Sequence, residues 1–331
     1  MSTSTVALTI GDPNGIGPEI AIKAAAQMAR ENGASIVLVG DEFVLRFYAE
    51  RHAADVTLAP LNGSAPRGSV LSFQHVDALD RKAFNPGTPV AEGGRATVDY
   101  VSAAIRLVKE GRASAIVACP HSETNVNAAG IPFSGYPSLL ARLTGTPEDH
   151  VFLMLVGGGL RIVHVTLHER LQTALARLTP GLIDRAARTA ADALRQLGIG
   201  TPRIGLFGIN PHAGESGLFG DDDDRITVPA ANSLRAAGFD IEGPLGADLM
   251  LGRDGFDAFV AMYHDQGHIP VKLIAGRNSA AMSIGAGVLF ASVGHGSAFD
   301  IAGKGIAEPD AVLRSLKLLS GATDLAVKAA S

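Results

Sequence analysis

Three histidines stand in polar company at the ends of apolar runs: His168 in Val-Thr-Leu-His-Glu, His212 in Asn210-Pro-His-Ala-Gly-Glu215, and His264 in Tyr263-His-Asp-Gln-Gly267. Three imidazoles around one point would make a facial site for zinc, iron, cobalt or nickel. Such a site keeps positions open for water or substrate, as catalytic rather than structural metal sites do. Taken singly, each ring reads first as a hydrogen-bonded loop or core residue. Asp265, beside His264, and Asp248, in Gly-Pro-Leu-Gly-Ala-Asp, are carboxylates that would orient imidazoles or take a proton; the other reading is solvated turn residues. Lys272, eight residues beyond His264, is a candidate contact for a small anionic substrate, as are Arg277 and Arg142, and surface placement is the alternative for all three. His164, inside an apolar run, reads as a buried structural residue, while His52, His75 and His150 carry no motif.

Two glycine-rich stretches could approach a ligand with their backbone. Gly11-Asp-Pro-Asn-Gly-Ile-Gly-Pro-Glu19 links a first strand to a first helix, but its spacing fits neither the dinucleotide fingerprint nor a Walker A loop, and it reads as a turn or as a cofactor contact. The second runs from His295 through Gly296, Ser297, Ala298, Asp300 and Ile301 to Glu308, a polar loop able to wrap a nucleotide. The run Asp221 to Asp224 reads as a solvated helix start, its charge favouring the positive end of the helix dipole.

Positioning these residues calls for a layered α/β protein. Short β-branched or apolar runs at Thr5–Ile10, Ser35–Gly40, Ser114–Cys119, Val151–Val156, Arg161–Thr166, Arg203–Gly208 and Asp257–Met262 alternate with helical periods. The helices are expected at Pro18–Arg30, Arg95–Glu110, Pro180–Leu197, Thr227–Ala237 and Pro309–Leu319. That pattern predicts an α/β/α architecture with mainly parallel sheets, and the polar segments follow strand ends, where open sheets build their sites. The stretch Ala59–Gly93 reads as a meandering insertion. With 331 residues, two domains are expected: residues 1–120 with 300–331, and residues 121–299, the second carrying the metal histidines. The single cysteine, Cys119, excludes an internal disulfide and a cysteine-rich zinc ribbon. A net charge of −5 without a basic stripe argues against nucleic acid, and the absence of a long apolar run argues against a membrane. The expected setting is the cytoplasm.

Gly11-Asp-Pro-x-Gly-Ile-Gly-Pro-Glu19, Asn210-Pro-His-Ala-Gly-Glu215, His264-Asp-Gln-Gly267 with Lys272, and His295-Gly-Ser-Ala-x-Asp-Ile-Ala-Gly-Lys-Gly305 together resemble the 4-hydroxythreonine-4-phosphate dehydrogenase family from residue 7 to about 320. Ala118-Cys-Pro-His121, Phe133-Ser-Gly-Tyr136-Pro137, Arg161-Ile-Val-His-Val-Thr-Leu-His168 and His264-Asp-Gln-Gly-His268-Ile-Pro are similar to its terephthalate cis-dihydrodiol dehydrogenase branch. The resemblance implies an isocitrate/isopropylmalate dehydrogenase-like fold and a homodimer whose shared active site lies in an interdomain cleft at the dimer interface. It also implies a divalent metal on His168, His212 and His264, one of them reaching in from the partner subunit, and NAD on the His295–Glu308 loop.

The departures from that family point to the substrate. Tyr136-Pro137 stands where the phosphate-binding members usually have His-Thr, Glu123 where they have Lys, and Ala281 and Phe290 where they have Asn and Arg. Losing an arginine fork should weaken a phosphomonoester site. The expectation is therefore oxidative decarboxylation of a cyclic cis-dihydrodiol dicarboxylate. Lys272 would touch a carboxylate or hydroxyl, Asp248 and Asp265 would handle protons, and His121 and His268 would contact the carboxylates. Tyr136 and Phe290 would serve as apolar walls. The competing expectations are 4-hydroxythreonine-4-phosphate or a sugar-acid phosphate as substrate, a zinc hydrolase on the same histidines, and a two-domain solute-binding protein.

Overall fold

A computed structural model describes residues 5–31, 33–62, 70–276 and 279–321 of the chain. The chain forms two compact units, one running to residue 139 and resuming at 288, the other spanning 140–287.

The first unit is built on a parallel sheet. Its strands are β1 (Thr5–Thr9), β2 (Ser35–Gly40), β3 (Thr57–Pro60), β4 (Val70–His75), β5 (Ala115–Ala118) and, far along the chain, β12 (Leu289–Val293), in the order β3-β4-β2-β1-β5-β12. β1, β2 and β5 are almost unbroken apolar runs because strands covered on both faces have no side to leave polar. The cover comes from α1 (Gly17–Arg30), α2 (Glu42–His52), α3 (Ala91–Lys109), the short α4 (Glu123–Ala128) and α11 (Asp310–Leu319). Gly94 lets α3 close on α4, since a Cβ there would stand 2.2 Å from the Asn125 backbone.

The glycine-rich N-terminal loop is a staple. Buried Asp12 accepts hydrogen bonds from Asn14 N (3.0 Å) and Asn125 Nδ2 (2.8 Å). Asn14 in turn donates to the carbonyls of Ala83 and Thr88 and accepts from Asn85 N. Of the two readings of this loop, the turn is the one these bonds support.

The second unit carries β6 (Phe152–Gly157), β7 (Leu160–His164), β8 (Arg203–Phe207), β9 (Asp240–Leu245), β10 (Ala258–Ala261) and β11 (Ala280–Ile284) in the order β11-β6-β7-β10-β8-β9. β6 runs antiparallel to both of its neighbours, and the pairs β7·β10, β10·β8 and β8·β9 are parallel. Leu155, Ile162, Phe207, Phe259 and Val271 meet in its core. Its helices are α6 (Leu171–Arg177), α7 (Pro180–Gln196), α8 (Val228–Ala236), α9 (Ala247–Leu251) and α10 (His264–Ala275), while α5 (Tyr136–Thr144) contains the division between the units. None of the described helices is long and apolar enough to cross a membrane.

The observed division differs from the expected boundaries at 120/121 and 299/300. β12 pairs with β5, and Asn125 of α4 bonds to Asp12, so both segments belong to the first unit. The Ala59–Gly93 stretch is not all meander, because it supplies β4 and the end of β3; residues 63–69 lie outside the described set. The segment after Tyr263, absent from the expected helices, is a helix, with Gly267 and Pro270 inside it obscuring its period.

Candidate functional site

In the second unit β7 and β10 run side by side, and the last residue of β7 together with the segments leaving the two strands brings four imidazoles into a row. His264 opens α10, and His268 and Lys272 follow at steps of four, so all three share one helix face. The rings of His264 and His268 stack 3.8 Å apart, His168 lies 5.4 Å from His264, and His268 lies 4.5 Å from His164. His264 Nδ1 sits 2.6 Å from Asp265 Oδ1, and since the carboxylate can only accept, the ring donates there and keeps Nε2 as an acceptor. His168, His264, Asp265, Tyr263, Leu167, Glu169, Leu171 and Ala174 line a cavity of about 300 Å³. Burial, together with the neighbouring rings, pushes His164 down to about 3 and His268 down to about 4. Lys272 Nζ donates to Ser279 Oγ at 2.8 Å. Arg142 is exposed on α5, and Arg277 lies outside the described residues.

His212 is placed apart from this row. Its ring packs near Phe219 (5.9 Å), and its Nδ1 lies 4.0 Å from Glu215. It rides on a strained turn in which His212, Ala213, Glu215 and Ser216 all hold φ between 46° and 56°, a left-handed region that disfavours side chains. Asp248, exposed in the first turn of α9, comes close to this turn, because a Cβ on Gly246 would meet both Asp248 Oδ1 (2.8 Å) and His212 N (3.6 Å). Holding the turn is Asp223, which is fully buried and accepts from Ile209 N (2.8 Å), Asn210 N (2.9 Å) and Thr227 Oγ1 (2.7 Å). The expectation of a solvated acidic run therefore fails at that residue.

Gln266 adds the link between the two histidine segments, accepting from Met262 N and donating to Gly208 O, each at 2.7 Å. Sequence reasoning missed both Asp223 and Gln266; the signal was their place beside the histidine motifs. Ala213→Gly is expected to remove a penalty of about 1–2 kcal/mol for the left-handed backbone while adding about 0.5–1 kcal/mol of chain entropy. A small rise in melting temperature should result, and a clear fall would mean that the Ala213 Cβ packed on Gly208 matters more.

The three expected metal ligands do not converge in one chain. Among the described residues no three His, Cys, Asp or Glu side chains are grouped to hold an ion. His168 and His264 are close, and His212 is on its own turn. Neutral imidazoles are fitting donors, but a single chain offers two of them together.

The first unit holds the other expected contacts. His121 packs edge-on against Phe133 (4.8 Å) and Tyr136 (4.6 Å), and Tyr136 lies against Phe290 at 4.6 Å. Phe290 has no exposed surface and Tyr136 keeps 5 %, so these rings are core in the structure and do not form the open walls expected of them. His121 Nε2 and Tyr136 Oη are buried without a hydrogen-bond partner, and burial pushes His121 down to about 4. His121 and His268 thus belong to different units.

The loop from His295 to Glu308 is pinned at both ends. Ser297 O accepts from Ile16 N (2.9 Å), and Gly15 permits that approach, since a Cβ there would stand 2.7 Å from Ser297 Cβ. At the far end buried Glu19 accepts from Ala307 N (2.9 Å) and Gly305 N (3.2 Å) and pairs with Lys23, which caps the carbonyls of both residues. His295 and Gly296, just before the first pin, are exposed, and a Cβ on Gly296 would meet nothing within 4 Å; Ser297 Oγ is buried without a partner among the described residues, and between the pins Ala298 holds φ 40°, Asp300 is exposed and Ile301 is half-buried. A braced loop with open backbone and an unspent hydroxyl fits a nucleotide cradle; Glu308, beyond the second pin, is also exposed.

Residues 32–319 match the family model described as pyridoxal phosphate biosynthetic protein PdxA. A 1,2-dihydroxy-3,5-cyclohexadiene-1,4-dicarboxylate dehydrogenase of Comamonas sp. is 46% identical, covering 95% of this chain and 96% of its own. The crystal structure of a terephthalate 1,2-cis-dihydrodiol dehydrogenase from Burkholderia xenovorans LB400 is 54% identical with a TM-score of 0.79, covering 98% of this chain and 99% of its own. That of a 4-hydroxythreonine-4-phosphate dehydrogenase from Klebsiella pneumoniae is 34% identical with a TM-score of 0.85, covering 96% and 98% respectively.

Proposed function

The chain belongs to the PdxA family, whose relatives carry dehydrogenase names, and we propose that it is an NAD-dependent dehydrogenase of a cyclic cis-dihydrodiol dicarboxylate. The substrate would be the dihydrodiol of terephthalate, and the products protocatechuate and carbon dioxide. The observation that carries this reading is Phe290. A fully buried aromatic ring packed on Tyr136 occupies a position where the family resemblance expects a cationic phosphate ligand. A phosphomonoester dianion left without a guanidinium fork binds poorly, whereas a diol dicarboxylate does not depend on one.

The His295–Glu308 loop would hold NAD, which when bound would supply a hydride acceptor. The hydroxyl-bearing carbon next to the carboxylated one loses its hydrogen as hydride and its hydroxyl proton to a base. The resulting β-keto acid breaks its bond to the carboxylate, the electron pair entering the ring as it becomes aromatic. Lys272 Nζ binds a carboxylate or hydroxyl oxygen. Asp265 holds His264 by Nδ1, so that the ring stays oriented, and Asp248 is the second candidate for proton handling beside the His212 turn.

One chain brings together two of the three imidazoles and so does not complete a metal site by itself. In a homodimer one of His168, His212 and His264 would arrive from a second copy and complete a divalent site in a shared cleft of the isocitrate/isopropylmalate dehydrogenase kind. The enzyme would act in the cytoplasm without nucleic acid or membrane partners. Exposed Leu171, Ile269, Leu273 and Ile274 on α6 and α10 are apolar surface available for such a dimer.

The test is NADH formation with the terephthalate dihydrodiol and 4-phosphohydroxythreonine offered in parallel. We expect kcat/KM for the diol to exceed that for the phosphate by at least about a thousandfold. The opposite preference would favour the phosphate reading, which the 4-hydroxythreonine-4-phosphate dehydrogenase relative also supports.

A further inference from the structure

A hydrogen bond between two imidazoles lies beneath the stacked His264 and has no part in the reaction as described. His164, on β7 and out of water, has Nδ1 3.3 Å from the Leu153 carbonyl and Nε2 2.9 Å from His268 Nδ1. The hydrogens on these atoms follow from valence. A carbonyl oxygen has only lone pairs to offer, so His164 Nδ1 carries a hydrogen and donates it. Burial keeps this ring neutral, so its Nε2 is bare, and the hydrogen between the two rings belongs to His268 Nδ1. His268 thus commits its Nδ1 hydrogen to His164, and a neutral imidazole carries no second one. Its remaining nitrogen, Nε2, therefore offers a lone pair. Gly267 is what allows the contact, since a Cβ there would stand 2.4 Å from His164 Nε2 and push α10 away from β7.

We infer that His164 is a positioning residue that fixes His268 as the Nδ1–H tautomer, so that His268 accepts a hydrogen bond from a substrate hydroxyl instead of donating one to a substrate carboxylate. The inference rests on the proposed diol substrate for its partner, and it reverses the carboxylate contact expected of His268. Its local part, the tautomer, needs no substrate.

The experiment is a 15N spectrum of histidine-labelled protein, as purified and at neutral pH, with the His268 signals assigned by their loss in His268→Leu. The expected result is a pyrrole-type Nδ1 and a pyridine-type Nε2. His164→Leu removes the acceptor and brings both tautomers into exchange, while His164→Gln, whose Oε1 can accept, keeps the original signature. A pyrrole-type Nε2 in the unmodified protein, or an unchanged His268 signature in His164→Leu, overturns the inference. These outcomes stand whether or not the dihydrodiol is turned over. With turnover in hand, His164→Leu should raise KM for the diol about tenfold with a smaller change in kcat, and His164→Gln should restore it. Inhibition by terephthalate, which has the carboxylates and no hydroxyls, should be unaffected, and an equal weakening of that inhibition would overturn the hydroxyl assignment.

Discussion

Lowering the pH from about 7.5 to about 4.5 is expected to remove a large part of the folding free energy, and His121→Phe to return a measurable share of it. His121 is packed among Phe133 and Tyr136 with its Nε2 buried and unpartnered, and burial holds it down to about 4 from an ordinary 6.5. The folded chain thus refuses a proton that the unfolded chain accepts once pH falls below 6.5. The stability this group contributes is full above that value and lost progressively as pH drops toward 4, a difference on the order of 3 kcal/mol. His164 and His268 are lowered in the same direction, so they steepen the same acid limb. Against a total of about 5–15 kcal/mol for an ordinary domain, the combined loss is large. Denaturant titrations at the two pH values measure it. Phe preserves the edge-on ring contacts and carries no proton, so the gap between the two pH values should narrow in His121→Phe. An identical gap in variant and parent would mean that His121 accepts its proton in the folded protein as readily as in the unfolded one.

The parts of the fold that were legible in the sequence are those where one local rule acts alone. Unbroken apolar runs gave β1 and β2 within a residue of their ends, and Pro at the start of α1 and α7 marked where those helices begin. What stayed hidden was decided by distant partners. β12 joins the first unit because it pairs with β5, some 170 residues earlier in the chain, and no local pattern records that pairing. α10 was hidden by its own contents, since Gly267 and Pro270 signal a break where packing on β7 and β6 holds a helix. At the site, the histidine motifs announced which residues to watch but not which would meet. His164 was read correctly as buried, yet its bond to His268 depends on the glycine between helix and strand. Tyr136 and Phe290 were legible as aromatic replacements, while their burial against each other was not.

Asp223→Ala should be the most damaging single change outside the apolar core, and its neighbour Asp224→Ala among the least. The four consecutive aspartates look alike in the sequence, but only Asp223 is fully out of water, and it is the hub for the backbone N–H groups of Ile209 and Asn210 and for Thr227 Oγ1. Removing its carboxylate leaves two backbone donors without an acceptor in a closed space and leaves Thr227 Oγ1 with only its longer bond to the Asp223 carbonyl (3.2 Å). Each unsatisfied group costs about 1–3 kcal/mol, so a total loss of at least about 2 kcal/mol is expected. Asp223→Asn is no remedy, because its amide turns a second donor toward groups that already donate.

The loss should also reach the chemistry. The bonds from Ile209 and Asn210 anchor the left-handed turn of residues 212–216, and a turn held against its own backbone preference springs back when its anchor goes. His212 would then leave its position, and kcat/KM should fall at temperatures where the variant is still folded. Asp224 is exposed and should change stability by no more than about 0.5 kcal/mol. Thermal melts and kinetics on the two variants side by side measure both effects. A well-folded Asp223→Ala with unchanged kcat/KM would mean that the His212 turn has no part in catalysis, and equal melting temperatures for the two variants would mean that the buried hydrogen bonds of Asp223 add nothing to the fold.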